Sequence, residues 1–239
     1  MISVVYPTFN ELRIGSLKEN LKIFSELLSE DIEWIFVDSY SRDGTVEWIR
    51  EIPGTKLLQV ETTSRAKRLN IGASEAKGEL LLLHHPRTAI PVEGWRYLIE
   101  HQRELTWGGF RHAFDVNHPL LRFTSWYSNS IRAGRKGIVY LDHCIFVQRQ
   151  LFEKVGGIPE VDIFEDTQLS YKLREVDAPQ ILPFDVTTSA VRFVEKGIYR
   201  QAMTNQLFKI GHHLNLSHQF MNTLYEKGQN LNAHYRRKR

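Results

Sequence analysis

Trp34-Ile35-Phe36-Val37-Asp38-Ser39-Tyr40-Ser41-Arg42-Asp43-Gly44-Thr45 holds a change of architecture in a dozen positions. The four apolar residues read as a buried strand, and the strand ends on the carboxylate of Asp38. Ser41 and Asp43 then offer side-chain oxygens to cap a helix that starts at Thr45 and runs to Arg50. The flanking sequence repeats this unit. Ile2-Ser3-Val4-Val5-Tyr6 is a first strand closed by Pro7, and Leu17, Leu21, Phe24, Leu27 and Leu28 follow at helical spacing. Lys56 to Val60 is a third strand. Arg65 to Lys77 is a helix with Ala66, Ala73 and Ala76 on its inner face, and Leu80 to Leu83 is a fourth strand ending in His84-His85-Pro86.

This β-α-β-α-β-α-β order predicts a mostly parallel sheet with helices on both faces. Ligands of such sheets sit beyond the carboxyl ends of the strands. The polar residues placed there are Thr8, Asn10 and Glu11 after the first strand, Asp38 after the second, and His84 to Arg87 after the fourth. All are expected to face one crevice. The second half is less regular. Trp107 to Phe114 reads as a strand, Leu120 to Ile131 as an aromatic-rich helix, and Ile138 to Val147 as one or two strands. Gln150 to Val155 reads as a helix stopped by Gly156-Gly157, and Glu165-Asp166 opens a helix to about Arg174. From Gly197 onward the chain is expected to be mainly helical.

Composition narrows the class. The 239 residues suffice for one large α/β domain, and apolar residues make up 42%. The 31 basic and 28 acidic residues leave a net charge of +3, so nucleic acid is not indicated as a partner. The excess is partly local, in Arg236-Arg237-Lys238-Arg239, a solvated tail or a contact to anionic lipid. Cys144 alone supports neither an internal disulfide nor a cysteine metal cluster. No leader and no run of about 20 apolar residues is legible. A cytoplasmic location is expected, with peripheral contact to the inner face of a membrane left open.

Four constellations carry chemistry. In Pro7-Thr8-Phe9-Asn10-Glu11 the proline stops a strand, and Asn10 and Glu11 present polar groups to a ligand or to a helix start. Asp38, at a strand end, suits a base or ribose, whereas Asp43 suits the turn. In Ser64 to Ala73, Arg65 stands at a helix start, where an anion also meets free backbone N–H groups, and Asn70 is a second ligand candidate. A charged helix face is the plainer reading. Glu165-Asp166 pairs carboxylates at a helix N-terminus, one of them a candidate general base.

Together these segments resemble the family 2 glycosyltransferases of GT-A fold. The opening resembles that family's P-x-x-N-E start, Val37 to Thr45 its V-D-x-x-S-x-D-G-T segment, and Arg65 to Ala73 its G-R-A-x-x-x-N-x-G-A segment. Further pieces are Gly108 to Arg111, Leu141 to Arg149, Glu165 to Ser170 and Thr188 to Phe193. They follow one another as in a bacterial subgroup labelled transferase 2, radical-SAM/selenodomain-associated. The resemblance implies a GT-A nucleotide-diphospho-sugar transferase domain over residues 1–196, with a mixed sheet, and a helical extension over 197–239. It implies inverting transfer from a UDP- or GDP-linked sugar to an unspecified acceptor, a lipid-linked one among the options. Thr8, Asn10, Glu11, Asp38, Arg65 and Asn70 would serve the nucleotide, and Asp142 and His143 would lie near the donor sugar. Asp166, with Glu165 beside it, would be the base.

One position departs from the pattern. The subgroup's L-H-A-D-T-x-L-P segment carries a metal-binding Asp where this chain has Arg87, in His84-His85-Pro86-Arg87-Thr88-Ala89-Ile90-Pro91. An arginine cannot ligate a metal but can neutralise phosphate with two parallel hydrogen bonds. Three readings are open. Arg87 replaces the ion, so that no divalent metal is needed; or the chain is a non-catalytic nucleotide-sugar or partner-binding module; or His84, His85 or His143 rebuilds a metal site. Trp95, Trp107 and Trp126 are expected in the core. His212-His213, among Leu207, Phe208, Ile210 and Leu214, is expected in an interhelical contact, with a membrane surface as the alternative.

Overall fold

The structure, a computed structural model, describes residues 1–12, 31–62, 64–214 and 216–226. The predicted helix over Leu17 to Leu28 and the basic tail lie outside these residues. The elements, in order, are β1 (Ile2–Thr8), β2 (Ile32–Asp38), α1 (Thr45–Arg50), β3 (Thr55–Gln59), α2 (Arg65–Ser74) and β4 (Leu80–Leu83). Then come β5 (Thr88–Ala89), α3 (Val92–His101), β6 (Trp107–Phe114) and α4 (Pro119–Trp126), the last continuing into a π-helical turn, Tyr127–Ala133. A 3₁₀ turn (Leu141–His143), β7 (Ile145–Gln148), α5 (Arg149–Lys154), α6 (Glu165–Arg174) and β8 (Gln180–Thr188) follow. The described chain closes with α7 (Val191–Lys196), α8 (Ile198–His213) and α9 (His218–Glu226).

The eight strands form one mixed sheet in the order β3-β2-β1-β4-β7-β6-β8-β5. β1, β2, β3 and β4 pair in parallel, and β7 runs antiparallel to both β4 and β6. All seven residues of β1 are buried. That is why Ile2 to Tyr6 is apolar apart from Ser3, whose hydroxyl is satisfied by Glu33 and the Gly78 N–H: both faces are covered. Successive side chains take opposite faces. Val4, Phe36 and Leu82 join Trp95 and Phe110 in one core, and Val5, Val37 and Leu83 join Leu69 and Trp107 in the other. The small residues of α2 have a measurable purpose. A Cβ on Gly72 would stand 2.2 Å from Val5 Cγ1, so only glycine lets this helix lie against β1.

Several expectations change. The α1 cap is Gly44, in a left-handed conformation (φ 89°). Asp43 instead accepts the Thr45 N–H at 3.1 Å, and Ser41 turns to Asp38. Ile138 to Cys144 is not strand, because the Ser170 hydroxyl takes both the N–H and the C=O of Val139. β8 was not expected. It pairs with β6 through an irregularity in which Pro183 and Phe184 lie between the partners of Phe110 and Arg111, Leu182 and Asp185. A proline cannot donate to the ladder, so the register slips there. Trp95 and Trp107 are core residues, but Trp126 is 53% exposed.

Candidate functional site

Three groups of predicted residues converge beyond the strand ends. The first is a self-contained network at the ends of β1 and β2. The buried carboxylate of Asp38 accepts hydrogen bonds from the Thr8 hydroxyl (2.9 Å), the Ser41 N–H (2.7 Å) and the Ser41 hydroxyl (2.6 Å). Asn10, held at φ 53°, donates its N–H to Ser41 Oγ and accepts the Arg42 N–H, both across the turn. These contacts lock the two loops together.

The second group is a buried ion pair. Arg87 reaches Glu11 with Nε to Oε2 at 3.1 Å and Nη2 to Oε1 at 3.4 Å, the side chains being 6% and 5% exposed. The arginine that stands in the metal-binding position therefore shares its fork with a carboxylate of β1's own loop. Burial pushes the Glu11 carboxyl up, and Arg87 and Arg68 offset this only in part. Arg68 is itself buried and donates to the Thr8 carbonyl at 2.6 Å.

The third group surrounds the start of α6. Arg65 donates to Glu165 Oε1 at 2.5 Å. Asp166 accepts the Leu141 N–H (3.1 Å) and the Thr167 N–H (2.7 Å). Burial, then the neighbouring Glu165 charge, pushes the Asp166 carboxyl up to about 7. Such a group can take a proton at neutral pH and still be ionised beforehand in part of the population.

Arg65, Arg87, Asp142 and Asp166 all line one cavity of about 220 Å³. Its far wall is helical: Thr124 and Ser128 from α4 and its extension, then Asn205, Phe208 and Lys209 from α8. Arg132 and Arg192 also face it, so five cations meet the two carboxylates. Burial, then Arg132, lowers Lys209 to about 7. A cleft of this sign favours an anionic ligand.

Of the remaining predicted residues, His85 alone lines the cavity. Asn70 does not line the cavity. Its amide donates to the Ile158 carbonyl (2.8 Å) and accepts the Ile158 N–H (2.9 Å), tying α2 to the loop after Gly157. His143 is fully buried, with Nδ1–H donating to the Phe110 carbonyl (2.8 Å) and Nε2 facing the Ser128 hydroxyl (2.9 Å). His84 and His85 part to opposite faces. His84 packs on Tyr6 and Trp95, whereas His85 lines the cavity with Nε2 3.8 Å from Asp142 Oδ1. Burial lowers His84 and His85 to about 3 and His143 to about 4, so all three are neutral imidazoles. Among the described residues no group of three His, Cys, Asp or Glu is placed to hold a metal ion. With Arg87 committed to Glu11, the described side chains at the strand ends present no such ligand set.

Sequence reasoning missed His112. It is 4% exposed, lines the cavity, and its Nε2 has no hydrogen-bond partner among the described residues. It directly follows the Gly108–Arg111 segment, but nothing in that segment singles out a histidine, and only the fold brings it to the cavity.

A sequence profile described as glycosyl transferase family 2 matches residues 3–156. The chain belongs to this family. No curated protein matches it. Among solved structures, S. aureus TarS 1–349 superposes with a TM-score of 0.60 at 19% identity, covering 79% of this chain and 60% of that one. The same protein in complex with UDP-GlcNAc gives 0.60, at 58% of its length. The mannosyltransferase PcManGT from Pyrobaculum calidifontis, in complex with GDP-Man and Mn²⁺, gives 0.56 at 22% identity, covering 79% and 56%. The chain thus spans about three fifths of these neighbours' lengths. At these identities the likeness establishes the fold, which is the GT-A arrangement of the family: a curled mixed sheet flanked by helices.

Proposed function

We propose that this family 2 member transfers a glycosyl group, with inversion, from a UDP- or GDP-linked sugar to an acceptor hydroxyl, using cationic side chains where relatives use a metal ion. The observation that carries this reading is the single cavity in which Asp166, with its raised carboxyl, faces the same space as Arg65, Arg87, Arg132 and Lys209. Asp166 removes the acceptor proton. The acceptor oxygen bonds to the anomeric carbon as the bond to the diphosphate breaks, and the electron pair leaves on the diphosphate. The cations stabilise that developing charge. Glu165 acts through Asp166 and Arg65. The nucleotide lies over the Thr8–Asn10–Asp38 network, where half-buried Asn10 retains accessible surface. Asp142 and the orphan Nε2 of His112 are placed for sugar hydroxyls. The donor classes of the TarS and PcManGT complexes support a UDP or GDP donor. The order of the motifs supports assignment to the radical-SAM/selenodomain-associated subgroup.

One observation favours a second reading, a non-catalytic binding module. The Arg87 fork is already occupied by Glu11, which limits its hold on a diphosphate. Calorimetric titration with UDP and GDP, each with Mn²⁺ or with EDTA, separates the readings. The transferase reading expects binding that is insensitive to EDTA and weakened by Arg87→Lys, with donor turnover that Asp166→Asn abolishes without loss of binding. Binding without turnover of any nucleotide sugar by the wild type would establish the binding module. A strict requirement for Mn²⁺ would overturn the metal-free mechanism.

A further inference from the structure

Among the described residues fourteen large apolar side chains are exposed, and of these only Met1, Tyr40 and Val176 lie outside α4 and the segment from α7 to α9. On α8, Tyr199, Met203, Leu207, Ile210 and Leu214 recur every three or four residues, which places them on one face. Their exposures run from 54% to 72%. The opposite face of α8 supplies Asn205, Phe208 and Lys209 to the cavity. α4 is built the same way: Thr124 faces the cavity, while Phe123 (58%) and Trp126 (53%) point to solvent. On α9, Phe220 and Leu224 are exposed as well. A chain functioning alone in water rarely exposes so many large apolar side chains on neighbouring segments.

Charge identifies the occupant. Residues 197–239 hold seven Lys and Arg against one acidic residue, Glu226, whereas residues 1–196 carry a net charge of −3. From Gly197 to Tyr225 there is no carboxylate at all. Arg122 adjoins Phe123, and exposed Arg200 borders the α8 stripe beside Tyr199. The chain continues past α9 to Arg236-Arg237-Lys238-Arg239. Tyr, Trp and Leu on one face with cations at the edge is the pattern of a helix that lies in the headgroup layer. Among the described residues no helix is long and apolar enough to cross a membrane, so the contact is peripheral.

We propose that the outer face of α8, continued by α9 and α4, docks on an anionic bilayer and sets the cavity against the membrane surface. Both helices that wall the cavity would then touch lipid with their other side. An acceptor anchored in the bilayer would reach Asp166 without leaving its leaflet; that last statement alone rests on the transferase reading.

Flotation with vesicles of phosphatidylcholine and phosphatidylglycerol at 7:3, and of phosphatidylcholine alone, tests the docking without any enzymatic readout. Leu207→Gln/Ile210→Gln replaces two exposed side chains that do not line the cavity, and circular dichroism and thermal unfolding verify its fold. The expected result is binding to the anionic vesicles that falls at least tenfold in this variant. It should fall severalfold between 0.05 and 0.5 M NaCl and be weaker still on neutral vesicles. Equal absence of binding to both vesicle types would overturn the proposal. So would sedimentation velocity showing a wild-type dimer that the double substitution dissociates, with no vesicle binding; the face would then join two copies of the chain. Failure of nucleotide binding would leave the docking result standing, so the two proposals fail separately.

Discussion

The Glu11–Arg87 pair is the feature on which both stability and the metal question turn, and cutting it has a calculable cost. Both side chains are about 95% buried and linked by two hydrogen bonds. Removing one partner of such a pair costs about 3–5 kcal/mol, because the other charge stays buried and uncompensated. The two cuts differ. Arg87→Ala leaves Glu11 still facing the Arg68 charge, so its cost belongs near the lower end. Glu11→Ala leaves two buried guanidiniums, Arg87 and Arg68, without their shared carboxylate, and its cost belongs near the upper end. With a urea m-value of about 2.5 kcal/mol/M, the unfolding midpoint should fall by roughly 1–2 M. Glu11→Leu/Arg87→Met should lose less than either single variant, since an apolar pair needs no compensation. The pH dependence gives an internal control. In Arg87→Ala the folded-state Glu11 carboxyl lies further above its unfolded value. The folded state then binds more protons, and stability falls as pH rises through that window. The deficit relative to wild type should therefore be full near pH 8 and shrink toward pH 5. Urea titrations of the four proteins measure all of this. A double variant that loses as much as either single variant or more would refute the argument.

Three other outcomes follow from the same geometry. In the proposed transferase mechanism Asp166 must be ionised to act, so donor turnover should rise with pH through about 7 and level off above it; Glu165→Gln should move that midpoint down, as read from a pH–rate profile. His84, His85 and His143 are held neutral well below the ordinary histidine value, so the unfolded state binds more protons below pH 6.5. Stability is full above that pH and should fall by about 1.4 kcal/mol per pH unit per histidine below it, with His84→Phe removing one share of the slope in urea titrations. Asn70→Ala should cost about 1–3 kcal/mol in thermal unfolding, through the stranded N–H and C=O of Ile158, and leave the UDP dissociation constant within twofold by calorimetry.

Much of the fold was legible because its central strands are covered on both faces. Trp34–Val37 and Leu80–Leu83 are apolar throughout and Ile2–Tyr6 in all but Ser3, and a chain shows that in its letters. β8 was illegible for the converse reason. Its inward residues alternate with Pro183, Asp185 and Thr187, and the proline interrupts its pairing. Residues 138–144 misled because β-branched side chains suit a strand, while a single serine hydroxyl on α6 claims the Val139 backbone.

The candidate site divides along the same line. Local spacing put polar residues at the strand ends and a carboxylate pair at the start of α6, since strand, turn and cap are set by residues within a few positions of one another. Which of them face each other was decided elsewhere. Glu11 meets Arg87 across 76 positions, and Arg65 meets Glu165 across 100. His112 enters the cavity from β6, where that strand pairs with the unforeseen β8, and Trp126 and the α8 stripe face solvent although their composition suits a core. The sequence alone determined that there is a parallel sheet with a polar rim. Only the tertiary structure decided which charges on that rim neutralise one another and which apolar face is left uncovered, because burial and pairing depend on elements that the chain brings together from far apart.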